Sequence, residues 1–451
     1  MITHLEADPG LQRWDGGRTL AGGSPFRVLR LSPKGSELVD RWIGGEPVTT
    51  GRSLARRLVR AGVMHPRHDR APFGPEDVTA VIPVHGARPT ALLAALEGLR
   101  VVLVDDGSSE PIPGAVRHDV KRGPGAARNT GWRAVTTPLV AFLDADTAPQ
   151  PGWLEPLLEH FADPEVAAAA PRIRSVAGDS ALARYESARS PLDLGIQPGP
   201  VRPGARISYV PTAALVVRAE TLDELGGFDE SMRFGEDVDL IWRLVENHQA
   251  RYEPAAVVEH RPRGSWPALL RQRFGYGSSA GPLGSRHGER VAPVRMSLWS
   301  LLTWILVVLG RTRLAALVTG AAAVLLARKL DRVGAPVSAS LKLAVRGNLG
   351  AAGLLLETAG RAWAPLVVPP LLATRRGRRA LALVAARHLL DWRRTRPPLD
   401  PLRYALAAIA DDLAYGCGVL RGALREGDRA ALLPVLTDLG GRSSVPVGER
   451  E

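Results

Sequence analysis

Three short, unbroken apolar runs stand out in the first third of the chain: Val78-Thr-Ala-Val-Ile-Pro-Val84, Val101-Val-Leu-Val104 and Leu139-Val-Ala-Phe-Leu143. Runs of this length without polar alternation belong to strands buried on both faces, as in parallel sheets. Helical stretches are predicted between them, over 88–99 and from about 126 to 135. Strand and helix alternating in this way predict a doubly wound α/β sheet.

The pattern differs on either side. Before residue 67, Pro25-Phe-Arg-Val-Leu-Arg-Leu-Ser32 alternates apolar residues with arginines and predicts a strand. Ser32-Pro33 supplies an N-cap and a first-turn proline for a helix carrying Leu38, Val39, Trp42 and Ile43. A second helix starts at Ser53, and Gly62-Val-Met-His65 leads out of it as a strand. Strand, helix, helix, strand describes a small winged-helix-like module over 1–70, joined by a Pro-, Arg- and His-rich linker from Pro66 to Pro75 to an α/β domain over 76–290. Beyond 295 come two apolar runs, Met296 to Gly310 and Leu314 to Ala327, each shorter than the roughly 20 residues that cross a bilayer. A third, Leu349 to Ala373, is interrupted by Glu357, Arg361 and prolines, and Leu402 to Leu424 reads as an amphipathic helix. This helical region, 295–435, is either a buried layer or a set of interfacial helices on a membrane. A disordered tail is expected over 436–451.

Charge favours the second reading. The net charge is +12, and residues 295–400 hold 17 Lys/Arg against 4 Asp/Glu, so the rest of the chain is close to neutral. One basic, apolar segment fits an anionic surface better than it fits a protein coating nucleic acid. Length (451 residues) and 45% hydrophobic content indicate two or three globular domains. The lone cysteine, Cys417, excludes an internal disulfide and a zinc cluster. No basic and apolar leader opens the sequence, so the cytoplasm, or the cytoplasmic face of the cell membrane, is the expected location.

Acidic residues sit where open α/β sheets place their ligands, directly after strands. Asp105-Asp106-Gly107-Ser108 follows the second strand and can bind a base or ribose, or simply cap a turn. Asp144-Ala-Asp146 follows the third; two carboxylates one residue apart in extended backbone project to one side and can share a metal. Between them Lys121-Arg122-Gly-Pro-Gly-Ala-Ala-Arg128 offers glycines at a helix start and two arginines that could steady a phosphate or base; a solvated basic loop is the competing reading. Glu236-Asp237 precedes an apolar helix, which places Asp237 to accept a proton from an attacking hydroxyl; Asp239 and Arg243 have the spacing of a structural ion pair.

Taken together and in this order, these motifs resemble the family 2 glycosyltransferases of GT-A (Rossmann-like) fold over roughly half the chain. The resemblance implies an opening strand and turn at Ile82-Pro83-Val84 and a nucleoside-binding acid at Asp106, with Asp105 beside it. It also implies an Asp-x-Asp pair at Asp144 and Asp146, with Asp146 the direct ligand of Mg²⁺ or Mn²⁺, and a general base at Asp237 with Glu236 next to it. His260, after Ala255-Ala-Val-Val258, resembles a histidine that some members bring to the metal or diphosphate. Arg271-Gln-Arg273-Phe-Gly-Tyr276 approximates the Gln-x-x-Arg-Trp motif of processive members, which makes Arg273 a donor-side candidate and processive synthesis doubtful. Leu29-Arg-Leu-Ser-Pro-Lys-Gly35 and Leu38-Val-Asp-Arg-Trp42 resemble peptide-chaperone modules of quinone-cofactor and mycofactocin maturation. The whole layout is similar to the actinobacterial mycofactocin-system glycosyltransferases, which implies inverting transfer of β-linked glucose from UDP-glucose to a peptide-derived redox cofactor, with a precursor peptide as a further partner of the module. The residues alone leave open a polyprenyl- or polysaccharide-directed glycosyltransferase, a nucleotidyltransferase sharing the sheet, and a noncatalytic peptide- or DNA-binding protein.

Overall fold

A computed structural model describes residues 2–176 and 178–438. The central sheet has nine strands among the described residues. Val78–Val84 lies in its middle, parallel to Arg100–Asp106 on one side and to Leu139–Leu143 on the other. Val116–His118 adds in parallel beyond Arg100–Asp106. Ala214–Arg218 runs antiparallel between Leu139–Leu143 and Val166–Ser175, and Gln249–His260 pairs in parallel with the latter. Apolar clusters cover both faces, one around Ile82, Leu143 and Leu157, the other around Phe142, Leu215 and Ile241. Two-sided burial is the physical reason the three central strands lack alternation. The connecting helices are shorter than the sequence pattern predicts: Thr90–Ala95 for the first and Pro124–Trp132 for the second.

The N-terminal module contains the two expected helices, Pro33–Ile43 and Arg52–Ala61. Ser32 caps the first, accepting from the Gly35 N–H at 3.1 Å. The second starts one residue early, after Gly51 in left-handed backbone at φ 69°. Beyond the expected strands Arg27–Arg30 and Met64–Arg67, three more appear, so that the module holds two small sheets: His4–Ala7 with Met64–Arg67, and Gln12–Trp14, Thr19–Gly22 and Arg27–Arg30. Pro66 and Arg67, expected in the linker, close the first of them. The module is wedged between its neighbours. Trp14, Ala21 and Val28 pack on Leu330, Val333 and Ala339, while buried His65 bridges Asp8 (3.0 Å) and Arg251 (3.4 Å) of the central sheet.

The C-terminal region forms helices Leu298–Val308, Thr312–Asp331, Val337–Gly360, Ala364–Leu372, Arg375–Thr395 and Pro401–Glu426. The third apolar run of the sequence is split between two of them at 361–363. Among the described residues no helix is long and apolar enough to cross a membrane. A simple buried layer is equally at odds with the structure: among the described residues, all but five of the large apolar side chains left exposed lie beyond residue 298. The tail expected over 436–451 lies outside the described residues from 439 on. Pro401–Glu426 docks tightly on Trp266–Ser278 and Ala280–His287. A Cβ on Gly277 would collide with the Tyr415 carbonyl, and one on Gly418 with that of Phe274, so small residues bring these backbones into contact.

Candidate active site

A cavity of about 830 Å³ opens at the carboxyl ends of the central strands. Pro83 and Asp106 line it from the first two strands, Asp144 and Asp146 from the third, and Asp237 and His260 from later segments. Chain separations of up to 177 residues are thus brought into one pocket at the place where an open α/β sheet binds ligands.

The Asp105-Asp106 pair divides its labour, and the structure corrects half of the expectation. Asp105 is fully buried and does not line the cavity. Its carboxylate accepts from the N–H groups of Ser108 (2.9 Å) and Ile112 (3.2 Å) and from Arg117. Burial alone would raise this carboxyl; the hydrogen bonds from Ser108, Ile112 and Arg117 override it and hold it down at about 2. Asp105 therefore shapes the turn. Asp106 faces the cavity while accepting at Oδ1 from the Arg122 N–H (2.8 Å) and at Oδ2 from the Gly123 N–H (2.8 Å), with His118 at 2.9 Å. It fastens the glycine-rich loop against the sheet, and Oδ2 keeps room for one further donor such as a base N–H or ribose hydroxyl.

The two arginines of that loop do not serve as free cations. Arg122 points away from the cavity to Glu230 (2.6 Å), while its neighbour Lys121 lines the wall. Arg128 is almost wholly buried and bridges two acids, donating through Nη1 to Glu236 (2.9 Å) and through Nη2 to Asp144 (2.7 Å). Asn129, on the same helix, exchanges hydrogen bonds with both backbone groups of Phe228 (2.8 and 2.9 Å). Gly227, at φ 74°, leaves the space this requires. These contacts fix the loop before helix Glu236–Asn247 and so set where Asp237 stands.

Asp237 is half-buried beside Glu236, with the Val238 N–H donating to its Oδ1 at 2.8 Å. Burial, and after it the Glu236 charge, push its carboxyl up to about 7. That range suits a group that must exchange a proton near neutrality. Asp239, two residues on and facing another side of the helix, is buried against Arg243 (2.8 Å) and His287 (2.9 Å), as a structural ion pair.

Of the expected metal group, Asp146 and His260 stand together, Nε2 of the histidine 3.2 Å from Oδ1 of the aspartate. Asp144 does not join them, because Arg128 holds it. No group of three or more His, Cys, Asp or Glu side chains is arranged to hold a metal ion among the described residues. The pair present still suits a divalent ion, since a carboxylate and an imidazole supply two donors and the oxygens of a diphosphate can supply the others. Arg273 is also corrected. It is buried away from the cavity, against Glu186 and Asp411 (both 3.2 Å), and its neighbours Gln272 and Tyr276 line the wall instead. Arg361 and Tyr415, both from the C-terminal region, reach the cavity without having been singled out in the sequence. The one sequence signal is the Gly416, Gly418 and Gly422 stripe that lets the helix of Tyr415 approach its neighbours, the Arg361 corner among them.

A mixed sheet whose parallel strands carry an Asp-x-Asp turn at their carboxyl edge, with a raised carboxylate in the same cavity, defines a glycosyltransferase of GT-A type. The model of Glycosyl transferase family 2 matches residues 80–219. Pre-mycofactocin glycosyltransferase of Mycobacterium tuberculosis (strain CDC 1551 / Oshkosh) is 42% identical over 447 residues, spanning 93% of this chain and 94% of that protein. The chain belongs to the pre-mycofactocin glycosyltransferase family. More distant is the succinoglycan biosynthesis protein ExoU of Rhizobium meliloti (strain 1021), 30% identical over 40% of this chain and 59% of its own. Among solved structures, the mannosyltransferase PcManGT from Pyrobaculum calidifontis in complex with GDP-Man and Mn2+ is 19% identical, with TM-score 0.34, over 62% of this chain and 90% of that one.

Proposed function

We propose that the chain is an inverting glycosyltransferase that moves glucose, in β-linkage, from UDP-glucose to pre-mycofactocin. The observation that carries this reading is that Asp237 lines one cavity with the paired Asp146 and His260. Asp237 takes the proton of the acceptor hydroxyl as that oxygen forms its bond to the anomeric carbon, and the bond from that carbon to the diphosphate breaks. The electron pair leaves with the nucleoside diphosphate, and a single displacement inverts the carbon. Asp106 and Pro83 line the end of the cavity that receives the nucleoside. Asp146 and His260 would hold Mg²⁺ or Mn²⁺, which when bound neutralises charge developing on the diphosphate. Glu236 keeps Asp237 basic, and Arg128 keeps Glu236 and Asp144 in place.

Mass spectrometry of the product with UDP-glucose, GDP-mannose and other donors offered together tests the donor. A hexose added from UDP-glucose, with β-configuration by NMR, is expected. Release of pyrophosphate instead of UDP would point to nucleotidyl transfer, and a requirement for a polyprenyl carrier to envelope glycan synthesis.

The reading places the enzyme on the cytoplasmic face of the cell membrane. Val308, Leu309, Leu317 and Leu349 are more than 60% exposed, and they belong to the same 295–400 region that holds the basic excess, much of it on helix Arg375–Thr395, a combination suited to an anionic lipid interface. Co-sedimentation with phosphatidylglycerol vesicles but not phosphatidylcholine vesicles is expected. As for a precursor peptide at the N-terminal module, strands Gln12–Trp14 and Arg27–Arg30 each pair on one side only and leave an edge for strand addition. Titration of labelled precursor peptide against the full chain tests it.

A further inference from the structure

The cavity has two chemically different ends. Near the Asp-x-Asp turn its lining is charged, with Lys121, Asp144, Asp146, His260 and Arg263. Another part of the lining is aromatic, with Tyr209, Trp242, Tyr276 and Tyr415, and includes Arg361. Two of these residues, Arg361 and Tyr415, come from the C-terminal region, outside the domain that carries the sheet.

Arg361 is built into this position. Its guanidinium lies 4.1 Å from the centre of the Tyr415 ring and donates through Nη1 to buried Asp412 at 2.7 Å. The corner of chain that carries it is tied at both ends, by Thr358 Oγ1 donating to the Pro293 carbonyl (3.3 Å) and by the Trp363 indole donating to the Leu432 carbonyl (2.8 Å). A Cβ on Gly416 would collide with the Arg361 carbonyl, so the close approach depends on that glycine. Behind it, the guanidinium groups of Arg189, Arg273, Arg361 and Arg387 share three buried carboxylates, Glu186, Asp411 and Asp412. One positive charge is left over, and of the four arginines only Arg361 lines the cavity.

The base lies within reach of this wall. The Tyr209 phenol feels Asp237, Tyr415, Tyr276 and Arg361 together, while Tyr276 feels Asp237 and also Arg263 and Asp144, so its ring stands between the charged lining and the Arg361–Tyr415 wall. A guanidinium stacked on a ring presents a flat surface with donors and no acceptor. Aromatic walls favour flat, apolar faces.

We propose that Arg361 and Tyr415 form the far wall of the acceptor subsite, selecting a flat, largely apolar acceptor that carries a hydrogen-bond-accepting oxygen remote from its attacking hydroxyl. The C-terminal helices are then part of the active site as well as a surface for docking. This rests on Asp237 as the base, since that residue defines which end of the cavity receives the acceptor.

The test measures Arg361→Lys and Tyr415→Leu against the wild type, varying pre-mycofactocin at saturating UDP-glucose and then UDP-glucose at fixed acceptor. The acceptor KM is expected to rise about tenfold or more in both variants while the donor KM stays within about twofold. Arg361→Lys, which keeps the charge but loses the flat fork, should be the milder in kcat. Acceptor and donor KM rising together, as collapse of the helical packing would produce, overturns the proposal, and so does a pair of variants with wild-type acceptor KM. Wild-type turnover in the same series judges the base and donor reading separately. A wild type that makes no product with UDP-glucose fails there, before either variant is compared.

Discussion

Arg128 and Glu236 meet at 2.9 Å across 108 residues of sequence, and Glu236 is the residue beside the raised Asp237 carboxylate. One buried guanidinium thereby connects the helix that follows the glycine-rich loop, the Asp-x-Asp turn and the base.

Asp237→Asn should lower the rate of transfer by about 10²- to 10⁴-fold, the range over which a positioned base usually acts. UDP-glucose binding by calorimetry should stay near wild type, because the amide keeps the shape of the carboxylate and lies at the acceptor end. Loss of donor binding would contradict the assignment.

The pH profile follows from the direction of the Asp237 shift. A carboxyl raised to about 7 is protonated, and useless as a base, below that pH. kcat should therefore fall as pH drops through about 7 and level off above it. Glu236→Gln removes the neighbouring negative charge that raises Asp237, so its midpoint should move down; Arg128→Met removes a cation that lowers it, so that midpoint should move up. Opposite displacements in the two variants would be hard to obtain from altered packing alone.

Arg128→Met should also weaken the fold, by roughly 3–5 kcal/mol if Asp144 and Glu236 stay ionised without a partner. Denaturant melts of the variant and of the Arg128→Met, Glu236→Gln pair check this, since removing one of the stranded carboxylates should restore part of the loss.

Gly418→Val places side-chain carbons against the Phe274 carbonyl. Overpacking of this kind costs about 1–3 kcal/mol, and here it should also push Tyr415 away from the cavity. A lower melting temperature with a raised acceptor KM is expected, whereas a surface glycine such as Gly427 changed to Asn, at φ 68°, should show neither effect.

The metal reading predicts that EDTA abolishes transfer and that Mg²⁺ or Mn²⁺ restores it. Asp146→Asn should require more of either ion, and Asp105→Asn should leave that requirement unchanged while destabilising the chain, because Asp105 is spent on its own turn.

The sequence by itself determined the central strands, the order of the acidic motifs and the helix start at Ser32. Each of these is written in adjacent residues: two-sided burial shows as an unbroken apolar run, and a cap or a strand-end acid as a local pattern. Tertiary structure decided how those residues are spent. Asp105 and Asp106 are neighbours, yet one satisfies its own turn and the other faces the cavity. Gln272 and Tyr276 lie one helical turn apart on the cavity side, while Arg273, about 100° further round, points into Asp411. Arg128 and Asp144 became a clamped pair, and Arg361 and Tyr415 became cavity walls, because low-dielectric burial forces charges to find partners wherever the fold brings them. Such partners are set by how the segments pack, and no local pattern of the chain names both halves.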